Sequence, residues 1–519
     1  MLTQNKTQKG FVAHTQKIID RKNIFKKDDN YFKKTLADPI FLLSAIATIL
    51  VLGVVSYHIL KPLSFIIIAS LAIIIFYNLN DRGNNKSKKY NSEKFKISIT
   101  HLLFFILPFL LGVTLLFEDL GIEEFLLRLF ILLGFAVNFL SIVIFVPISI
   151  FSKLKEDKIQ KQYDSKLFPK VSVIIPAYNE EKVIANTIKS IISADYLKKE
   201  IIVVNDGSLD QTLQIARKYK KKIKIVDKQQ GGKASAINKG LETSTGEIVI
   251  IIDADTTINK DSITKIVTPF MKNNKIGAVS GNIRVKNTLN LLTRCQALEY
   301  LHAVQIPKRV FSNYGVVPIV SGAFGAFRKT VLCQDKLPFS SDTITEDFDT
   351  TIIILKKGYN VIQKYDAIAY TEAPNTLREF LKQRKRWYRG SFQVFSKHQE
   401  IFKMKKFGYL NKLVFPFMTS SSIIIPTTGV ASIIAMTAAI LLGNPFLAIQ
   451  LFFLNIASRY FQLLLAMRFD NETNKKNILY SALLVSGYLQ LNDMILLKAA
   501  IDHLFRRKAS WSYIKRIGN

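Results

Sequence analysis

Long apolar segments near both ends of the chain place the strongest limit on its fold. Four of them precede residue 151, and each is close to the roughly 20 residues that an α-helix needs to cross a bilayer. They lie at 40–60, 63–79, 99–117 and 125–150. Three more lie near the C-terminus, at 413–442, 446–467 and 478–497. We therefore expect two membrane regions with a separate domain between them.

The charges of the loops predict how these segments are oriented. The 519 residues include 72 Lys and Arg against 39 Asp and Glu, which gives a formal net charge of +33. Cytoplasmic loops of membrane proteins collect Lys and Arg. Here these residues are concentrated in 1–39, in the loop 81–98 and after residue 150, whereas the loop after Phe117 is acidic. We predict an integral protein of the plasma membrane whose N-terminus and central domain are cytoplasmic.

The last apolar segment leaves the C-terminal topology open. It carries Gln490, Asn492 and Asp493, and three full crossings would place the basic tail, 505–519, outside the cell. Three alternatives fit. The last segment lies in the membrane interface, or the segment 413–442 bends near Pro426 without a simple crossing, or the positive-inside rule does not hold here.

The cysteines and histidines disfavour a zinc site. Cys295 and Cys333 are the two cysteines of the chain, and neither belongs to a metal-binding spacing. We predict both to be buried thiols in a reducing compartment. The six histidines form no HExxH pattern, so a zinc enzyme is not expected.

Between the apolar regions the pattern changes to alternating strands and helices. We predict strands at 171–176, 200–205, 222–226 and 248–252, and helices at 181–194, 210–222 and 234–243. Apolar strands that alternate with helices are typical of a parallel sheet covered on both faces. The strand–helix–strand crossovers are expected to be right-handed.

Polar and glycine-rich sequences follow each predicted strand. They are Pro176-Ala-Tyr-Asn-Glu180, Asn205-Asp-Gly-Ser208, Gln230-Gly-Gly-Lys233 and Asp253-Ala-Asp255. One such sequence is often a turn. Four together are hard to explain as turns, because ligands of open α/β sheets bind at the carboxyl ends of the strands. Two carboxylates at i and i+2 can face one divalent cation and its phosphate ligand.

Three further motifs complete a recognisable set. They are Ser321-Gly-Ala-Phe-Gly325, Thr345-Glu-Asp347 and Gln383-Arg-Lys-Arg-Trp387. With them, residues 170–390 resemble a family 2 glycosyltransferase of the GT-A type. The whole layout resembles the processive membrane branch of that family, which includes the cellulose, chitin, hyaluronan and bacterial poly-N-acetylglucosamine synthases.

The resemblance implies a domain organisation. A cytoplasmic α/β GT-A domain, Rossmann-like with a mostly parallel sheet, would occupy 165–398. About four transmembrane helices would lie in 40–150 and about three transmembrane or interfacial helices in 413–504. The remaining parts would be the basic N-terminal segment 1–39, an interfacial segment 399–412 and the basic tail 505–519.

For the donor, the resemblance implies four binding residues. Asp206 would accept hydrogen bonds from the uracil or ribose, and Lys233 would contact the donor after two glycines that admit a phosphate. Asp253 and Asp255 match the DxD motif, so they would bind Mg²⁺ or Mn²⁺ together with the diphosphate. Asp255 is the firmer metal ligand of the two.

For the acceptor, the resemblance implies a general base and a sugar-binding loop. Asp347 would take the proton from the acceptor hydroxyl, with Glu346 beside it as a substrate-binding residue. This assignment rests on the motif and not on spacing, because Asp342, Glu346 and Asp349 are close by. Small side chains at Ser321 and Gly322 would admit the acceptor sugar.

The motif Gln383…Trp387 would complete the acceptor side. Trp387 would stack on the acceptor sugar, Arg386 would pair with the departing diphosphate, and Gln383 would hydrogen-bond across the site. Glu299 and Tyr300 also resemble a family segment beside the active site. A core helix explains them equally well, so they are not included among the site residues.

The expected function is that of an inverting, processive synthase. It would polymerise a UDP-sugar into a β-linked polysaccharide and help to export it, with UDP-N-acetylglucosamine favoured over UDP-glucose as donor. The partners would be the donor, the growing polysaccharide and the lipid bilayer, with room for an accessory membrane subunit and no role for nucleic acid.

Three alternatives stay open. The protein could add one sugar to a lipid carrier without processivity, or it could be a membrane scaffold with a degenerate transferase domain. The third alternative, a basic membrane protein that binds nucleic acid, lacks an interleaved basic and aromatic platform for single strands.

Overall fold

The computed structural model describes residues 144–157, 168–334, 338–441, 443, 445, 449, 460–470, 487–507 and 518. The predicted N-terminal membrane segments, except for the end of 125–150, lie outside the described residues. The same is true of the segment 1–39, most of 446–467, the first part of 478–497 and most of the tail 505–519.

Eight strands form one sheet in the central domain. They are β1 (Val171–Ala177), β2 (Lys199–Asp206), β3 (Lys224–Lys228), β4 (Ile248–Ile252), β5 (Thr257–Ile258), β6 (Ile276–Val285), β7 (Phe324–Arg328) and β8 (Asn360–Thr371). Their order in the sheet is β3-β2-β1-β4-β7-β6-β8-β5. The four predicted strands are β1 to β4, and they lie side by side.

The sheet is mixed in direction. Strands β1 to β4 pair in parallel, as predicted, and β6 pairs in parallel with β8. However, β7 runs antiparallel to both β4 and β6, and β5 runs antiparallel to β8. The expectation of a mostly parallel sheet therefore holds for β1 to β4 and for the pair β6–β8, and it is wrong for β7 and β5. The apolar pattern of a buried strand shows that it is buried but does not show its direction.

Twelve α-helices surround and follow the sheet in the described residues. They are α1 (Val146–Asp157), α2 (Ile184–Ile192), α3 (Thr212–Arg217), α4 (Lys233–Thr243), α5 (Ser262–Lys272), α6 (Leu291–Gln305), α7 (Pro307–Asn313), α8 (Lys329–Leu332), α9 (Glu346–Lys356), α10 (Leu377–Lys397), α11 (Phe415–Leu441) and α12 (Leu489–Leu504). Residues 460–469 are also helical.

Both faces of the sheet are buried, which explains the unbroken apolar runs of the strands. On β1, Val173 and Ile175 pack into the cluster that includes α2 and α5. Ile174 points to the opposite face and packs with Ala236 and Ile237 of α4. Successive side chains of a strand alternate between the faces, so every residue of β1 is buried. The sheet is thereby fixed between two helical layers, with its strand ends free to form a site.

The helices after the domain pack against one another and against α10. Among the described residues, one helix, Leu410–Leu441, is long and apolar enough to cross a membrane. Pro426 lies inside its α-helical part and does not end it. Helix α12 packs against α10 and α11. Its Asn492 accepts a hydrogen bond from Tyr388 (3.1 Å), and a Cβ atom at Gly429 of α11 would overlap Asp493.

One cysteine is not where the sequence predicted it. Cys295 is buried in α6, as expected, but Cys333 is exposed, so the expectation of two buried thiols is wrong for Cys333. Cys333 directly follows the four-residue helix α8, whose Val331 and Leu332 are buried, and the chain leaves the core at that point.

Candidate active site

Lys233 joins two acidic residues from different parts of the chain. It begins α4, and its Nζ lies 2.6 Å from Asp253 Oδ1, just after β4, and 3.3 Å from Glu346 Oε1, at the start of α9. The side chains of Lys233 and Asp253 are about a quarter exposed, at 28% and 27%. The strand end and the two helix starts therefore converge on one charged cluster that remains open to solvent.

Asp347 is held at this cluster by backbone N–H groups. The N–H of Gly322 donates to Asp347 Oδ2 (3.1 Å), and the N–H of Phe348 donates to Asp347 Oδ1 (2.9 Å). A Cβ atom at Gly322 would lie 2.8 Å from Lys233 Nζ, so a side chain there would push the ammonium group out of its present position. The structure thus brings together five residues of the sequence motifs: Lys233, Asp253, Gly322, Glu346 and Asp347.

The charges of this cluster shift the pKa values of two groups. Burial by itself lowers the pKa of Lys233, but the negative charges of Asp253, Glu346 and Asp347 raise it above its ordinary value. Burial raises the pKa of Glu346, Lys233 opposes that change, and the charge of Asp347 adds to it. Lys233 is therefore held in its charged form, which suits contact with an anionic ligand.

Asp255 is more deeply buried than Asp253. It is 4% exposed, and its Oδ1 accepts hydrogen bonds from Thr256 Oγ1 (3.1 Å) and Thr371 Oγ1 (3.2 Å). Within the described ranges, no group of three or more His, Cys, Asp or Glu side chains could hold a metal ion. Two carboxylates still fit Mg²⁺ or Mn²⁺, because such ions commonly take their other ligands from substrate phosphates and water.

Asp206 organises the loop that precedes Lys233. Its buried carboxylate accepts hydrogen bonds from Lys228 Nζ (2.6 Å) and from the N–H groups of Gly231 (3.0 Å) and Gly232 (2.8 Å). Gly232 has a φ of +86°, which glycine adopts without strain. The carboxylate at the end of β2 thus fixes the turn that presents Lys233 to the site.

Ser321 lies next to the cluster in the loop that leads into β7. It is half-buried, and its Oγ accepts a hydrogen bond from the N–H of Ala323 (3.3 Å). This bond shapes the turn in which Gly322 faces Asp347. The predicted sugar-binding loop therefore lies beside the Asp347 carboxylate.

The Gln383…Trp387 motif lies on α10. Gln383 is buried, and its Oε1 has no hydrogen-bond partner in the described part of the chain. Arg386 and Trp387 are half-buried. Trp387 lies one helical turn before Gly390, against which Thr345 packs closely. The ring centre of Trp387 lies 6.3 Å from that of Tyr300, so α10 carries Trp387 beside α6 and, one turn later, Gly390 beside the start of α9.

Sequence reasoning missed Arg384, which contacts Trp387, and left its partner Glu299 out of the site residues. Arg384 is 2% exposed, and its guanidinium carbon lies 4.4 Å from the centre of the Trp387 ring. Its Nη2 donates to Glu299 (2.6 Å) and to the hydroxyl of Tyr488 (3.1 Å), and Tyr488 also donates to Glu299. Helical spacing from the buried Phe380 could have shown that Arg384 is buried. A buried cation needs an acidic partner, which would have favoured Glu299.

Lys308 was also missed. It is half-buried at the start of α7, and its Nζ donates to Ser280 Oγ (3.2 Å). Burial lowers the pKa of Lys308 to about 8, and the negative charge of Asp347 opposes that change. No local pattern marks a single lysine in a helical stretch as a neighbour of the site.

Comparison with known proteins identifies the family. Residues 172–334 match the family model described as Glycosyl transferase family 2. A poly-beta-1,6-N-acetyl-D-glucosamine synthase from Staphylococcus epidermidis is 31% identical over 358 residues, which cover 66% of this chain and 86% of that protein. The chain belongs to glycosyl transferase family 2. A synthase of the same name from Staphylococcus aureus (strain COL) is 33% identical to this glycosyltransferase over 227 residues, 43% of this chain and 55% of that protein.

A solved structure agrees on the fold of the glycosyltransferase. A mannosyltransferase from Pyrobaculum calidifontis, in complex with GDP-Man and Mn²⁺, aligns with a TM-score of 0.50 and 22% sequence identity. The alignment covers 74% of this chain and 100% of that chain. The shared architecture is the mixed, open, Rossmann-like sheet of the GT-A fold.

Proposed function

We propose that this glycosyltransferase is an inverting, processive synthase that polymerises a UDP-sugar into a β-linked polysaccharide. UDP-N-acetylglucosamine is the favoured donor, ahead of UDP-glucose. The observation that carries the proposal is the cluster of Lys233, Asp253, Glu346 and Asp347 around the glycine loop. The names of the staphylococcal relatives support the choice of polymer.

In this proposal Asp347 is the general base. Its carboxylate takes the proton from the acceptor hydroxyl while that oxygen attacks the sugar carbon and the diphosphate leaves from the opposite face. Inversion requires one such carboxylate and no covalent intermediate. Gly322 donates to Asp347 Oδ2, which orients the carboxylate. Asp342 is an exposed alternative, and Asp349 is buried away from solvent.

The donor would be held by the strand ends. Asp206 would accept hydrogen bonds from the uracil or ribose, and Lys233 would contact the diphosphate. Asp253 and Asp255 would hold Mg²⁺ or Mn²⁺, which would offset the negative charge of the leaving diphosphate. Arg386 would pair with the same diphosphate through its planar guanidinium.

The acceptor would lie between the glycine loop and α10. Ser321 and Gly322 would admit the sugar ring, Glu346 would contact it beside Asp347, and Trp387 would stack on its apolar face. Gln383 supports this arrangement, because its buried Oε1 lacks a partner within the described residues and could accept a hydrogen bond from a sugar hydroxyl.

We further propose that the protein is integral to the plasma membrane, with the catalytic domain in the cytoplasm. The helix Leu410–Leu441 and the basic loops support this topology. The membrane helices would form the path along which the polymer leaves. An accessory membrane subunit is compatible with this arrangement, and no nucleic acid is involved.

The first test is sugar incorporation by isolated membranes. Labelled UDP-N-acetylglucosamine or UDP-glucose is supplied with Mg²⁺ or Mn²⁺ to the wild type and to Asp347→Asn. We expect high-molecular-weight product from one donor. Loss of a general base typically lowers the rate by about 10²- to 10⁴-fold, so product should be nearly absent in the variant while UDP binding is retained.

The matched control is Asp342→Asn, since Asp342 is an acidic side chain of the same loop region and is 72% exposed. It should incorporate sugar at nearly the wild-type rate. Polymer formed by Asp347→Asn at the wild-type rate would show that the base is another residue. A small product that extracts into organic solvent would instead identify a transferase that adds one sugar to a lipid carrier, and the export role would have to be dropped.

A further inference from the structure

Helices α9 and α10 are joined at three levels beneath the candidate active site. Near the start of α9, the N–H of Ile344 donates to Gln393 Oε1 of α10 (3.0 Å). Next to it, Thr345 packs so closely on Gly390 that a Cβ atom there would overlap it. The third contact is a polar cluster around the buried Asp349 and His398, which we name the α9–α10 clamp: Asp349, Lys356, Lys397, His398 and Glu400.

Asp349 is the centre of the α9–α10 clamp. Its side chain is fully buried, and its two oxygens accept hydrogen bonds from His398 Nε2 (2.7 Å) and Lys397 Nζ (2.8 Å). Asp349 follows Asp347 by two residues, about 200° around an α-helix. It therefore points away from the site, into the contact with the end of α10.

His398 connects both ends of α9 to α10. It directly follows α10, and its Nδ1 lies 3.2 Å from Nζ of Lys356, the last residue of α9. An ammonium group has donors and no acceptor, so Nδ1 accepts and Nε2 carries the proton given to Asp349. Lys356 in turn pairs with Glu400 (2.5 Å), in the turn that leads toward the membrane helix.

Hydrogen-bond donors within the clamp compensate the buried charge of Asp349. Burial by itself would raise the pKa of Asp349, but the hydrogen bonds from His398 and Lys397 hold it below its usual value. A buried carboxylate that loses its partners becomes very costly. The ionised Asp349 thus fixes the relative position of two helices that carry different parts of the site.

We propose that Asp349 and His398 are positioning residues that hold the Asp347 base of α9 in register with the Trp387 acceptor platform of α10. The inference rests on the proposed roles of Asp347 and Trp387. It predicts that breaking the clamp slows sugar transfer more than it weakens donor binding. Of the proposed donor-binding residues, Asp206, Lys233 and Asp253 lie at ends of the sheet strands and on α4, whereas Arg386 lies on α10. UDP affinity should therefore depend far less on the clamp than sugar transfer does.

The test compares three variants of the full-length protein in membranes. His398→Leu removes the hydrogen bonds to Asp349 and Lys356, and His398→Gln keeps an N–H donor at a similar reach. The double variant Asp349→Leu with His398→Leu removes both buried partners, and leaves Lys397 and Lys356 exposed enough, at 30% and 26%, to reach water. The readouts are the affinity for UDP, kcat for sugar incorporation, UDP released per sugar incorporated, and the unfolding temperature.

We expect His398→Leu and the double variant to incorporate sugar about 10- to 100-fold more slowly, the scale expected for a misplacement near 1 Å. UDP affinity should stay within about twofold, and the UDP released per incorporated sugar should rise, because donor is hydrolysed when the acceptor is misplaced. His398→Gln should recover most of the activity. Asp261→Asn, which breaks an exposed ion pair with Lys265 (2.6 Å), is the control.

The double variant keeps the test decisive if a single variant fails to fold, because no buried charge is left unpaired. A double variant with the wild-type kcat and the wild-type UDP-to-sugar ratio would overturn the inference. This result differs from a failure of the proposed polymerase function. If the wild-type protein adds single sugars, the proposal of polymer synthesis is wrong. The ratio of UDP released to sugar transferred would still test the role of the clamp.

Discussion

Lys308, a neighbour of the candidate site, has a lowered pKa because of burial. Its half-buried Nζ contacts Ser280, whose side chain is fully buried on β6. Burial lowers the pKa of Lys308 from its ordinary value of 10.5 to about 8, against the attraction of Asp347. The folded protein therefore holds the Lys308 proton less tightly than the unfolded chain does.

This difference predicts a pH dependence of stability. Between pH about 8 and pH about 10.5 the unfolded chain binds more protons at Lys308, so folded wild type gains stability as the pH rises through that window. Lys308→Met removes this contribution. We expect the unfolding temperature of the wild type to rise relative to that of the variant across the window, measured in detergent by thermal unfolding.

Lys265→Met is the control for the Lys308 measurement. Lys265 lies on α5 in an ion pair with Asp261, and its side chain is 34% exposed. The unfolding temperature of this variant should keep a nearly constant offset from the wild type over the same pH range. An equally constant offset for Lys308→Met would contradict the assignment of a lowered pKa to Lys308.

Among the helices, the contact between α9 and α10 depends on a glycine. Gly390 lies inside α10, where alanine is ordinarily more favourable than glycine by about 1 kcal/mol. The side chain of Thr345 fills the space that a Cβ atom would need, with its Oγ1 2.6 Å from that position. Helix propensity and packing therefore predict opposite effects of the same substitution.

We expect packing to decide the outcome for Gly390→Ala. Forcing a methyl group into a filled site costs about 1–3 kcal/mol, so the unfolding temperature should fall and sugar incorporation should decrease as Thr345 and Asp347 shift. Thermal unfolding and the membrane incorporation assay measure the two effects. Ser391→Ala, at the next position of α10, should leave stability nearly unchanged. A more stable Gly390→Ala would show that α9 and α10 have room to separate.

At the scale of the whole molecule, partly buried polar pairs join the sheet domain to the C-terminal helices. Arg284 of β6 pairs with Asp470, which ends the helical segment 460–469 and whose side chain is 2% exposed. His302 of α6 contacts Gln462 of the same segment (2.8 Å). These contacts fix the catalytic domain against the helix that precedes residue 470.

Asp470→Ala should therefore be strongly destabilising. Removing one partner of a buried ion pair costs about 3–5 kcal/mol, and the 15% exposure of the Arg284 side chain makes this an upper figure for Asp470→Ala. Glu242→Ala is the control, because its ion pair with Lys239 is exposed (2.8 Å; 49% and 62%) and should cost less than about 1 kcal/mol. Equal unfolding temperatures for the two variants would show that the Arg284–Asp470 pair contributes nothing to the junction.

Much of the first half of the domain follows from local sequence. The apolar runs predicted every end of β1, β2 and β4 to within one residue, because a strand buried on both faces needs a run of apolar residues. The prediction of β3 began two residues early, at 222 instead of Lys224. That strand lies at the edge of the sheet, where its exposed lysines weaken the pattern.

The sequence by itself determined the fold family and most of the candidate site residues, because strand-end carboxylates and glycines carry short, local patterns. The tertiary structure alone decided which of them touch. It pairs Lys233 with Asp253 and Glu346, and it places Arg384 in hydrogen bonds with Glu299 and Tyr488. It also pairs β7 antiparallel to β4 and buries Asp349 in a hydrogen bond with His398. Each of these is a contact between segments far apart in the chain, and such pairings depend on packing that no local pattern records.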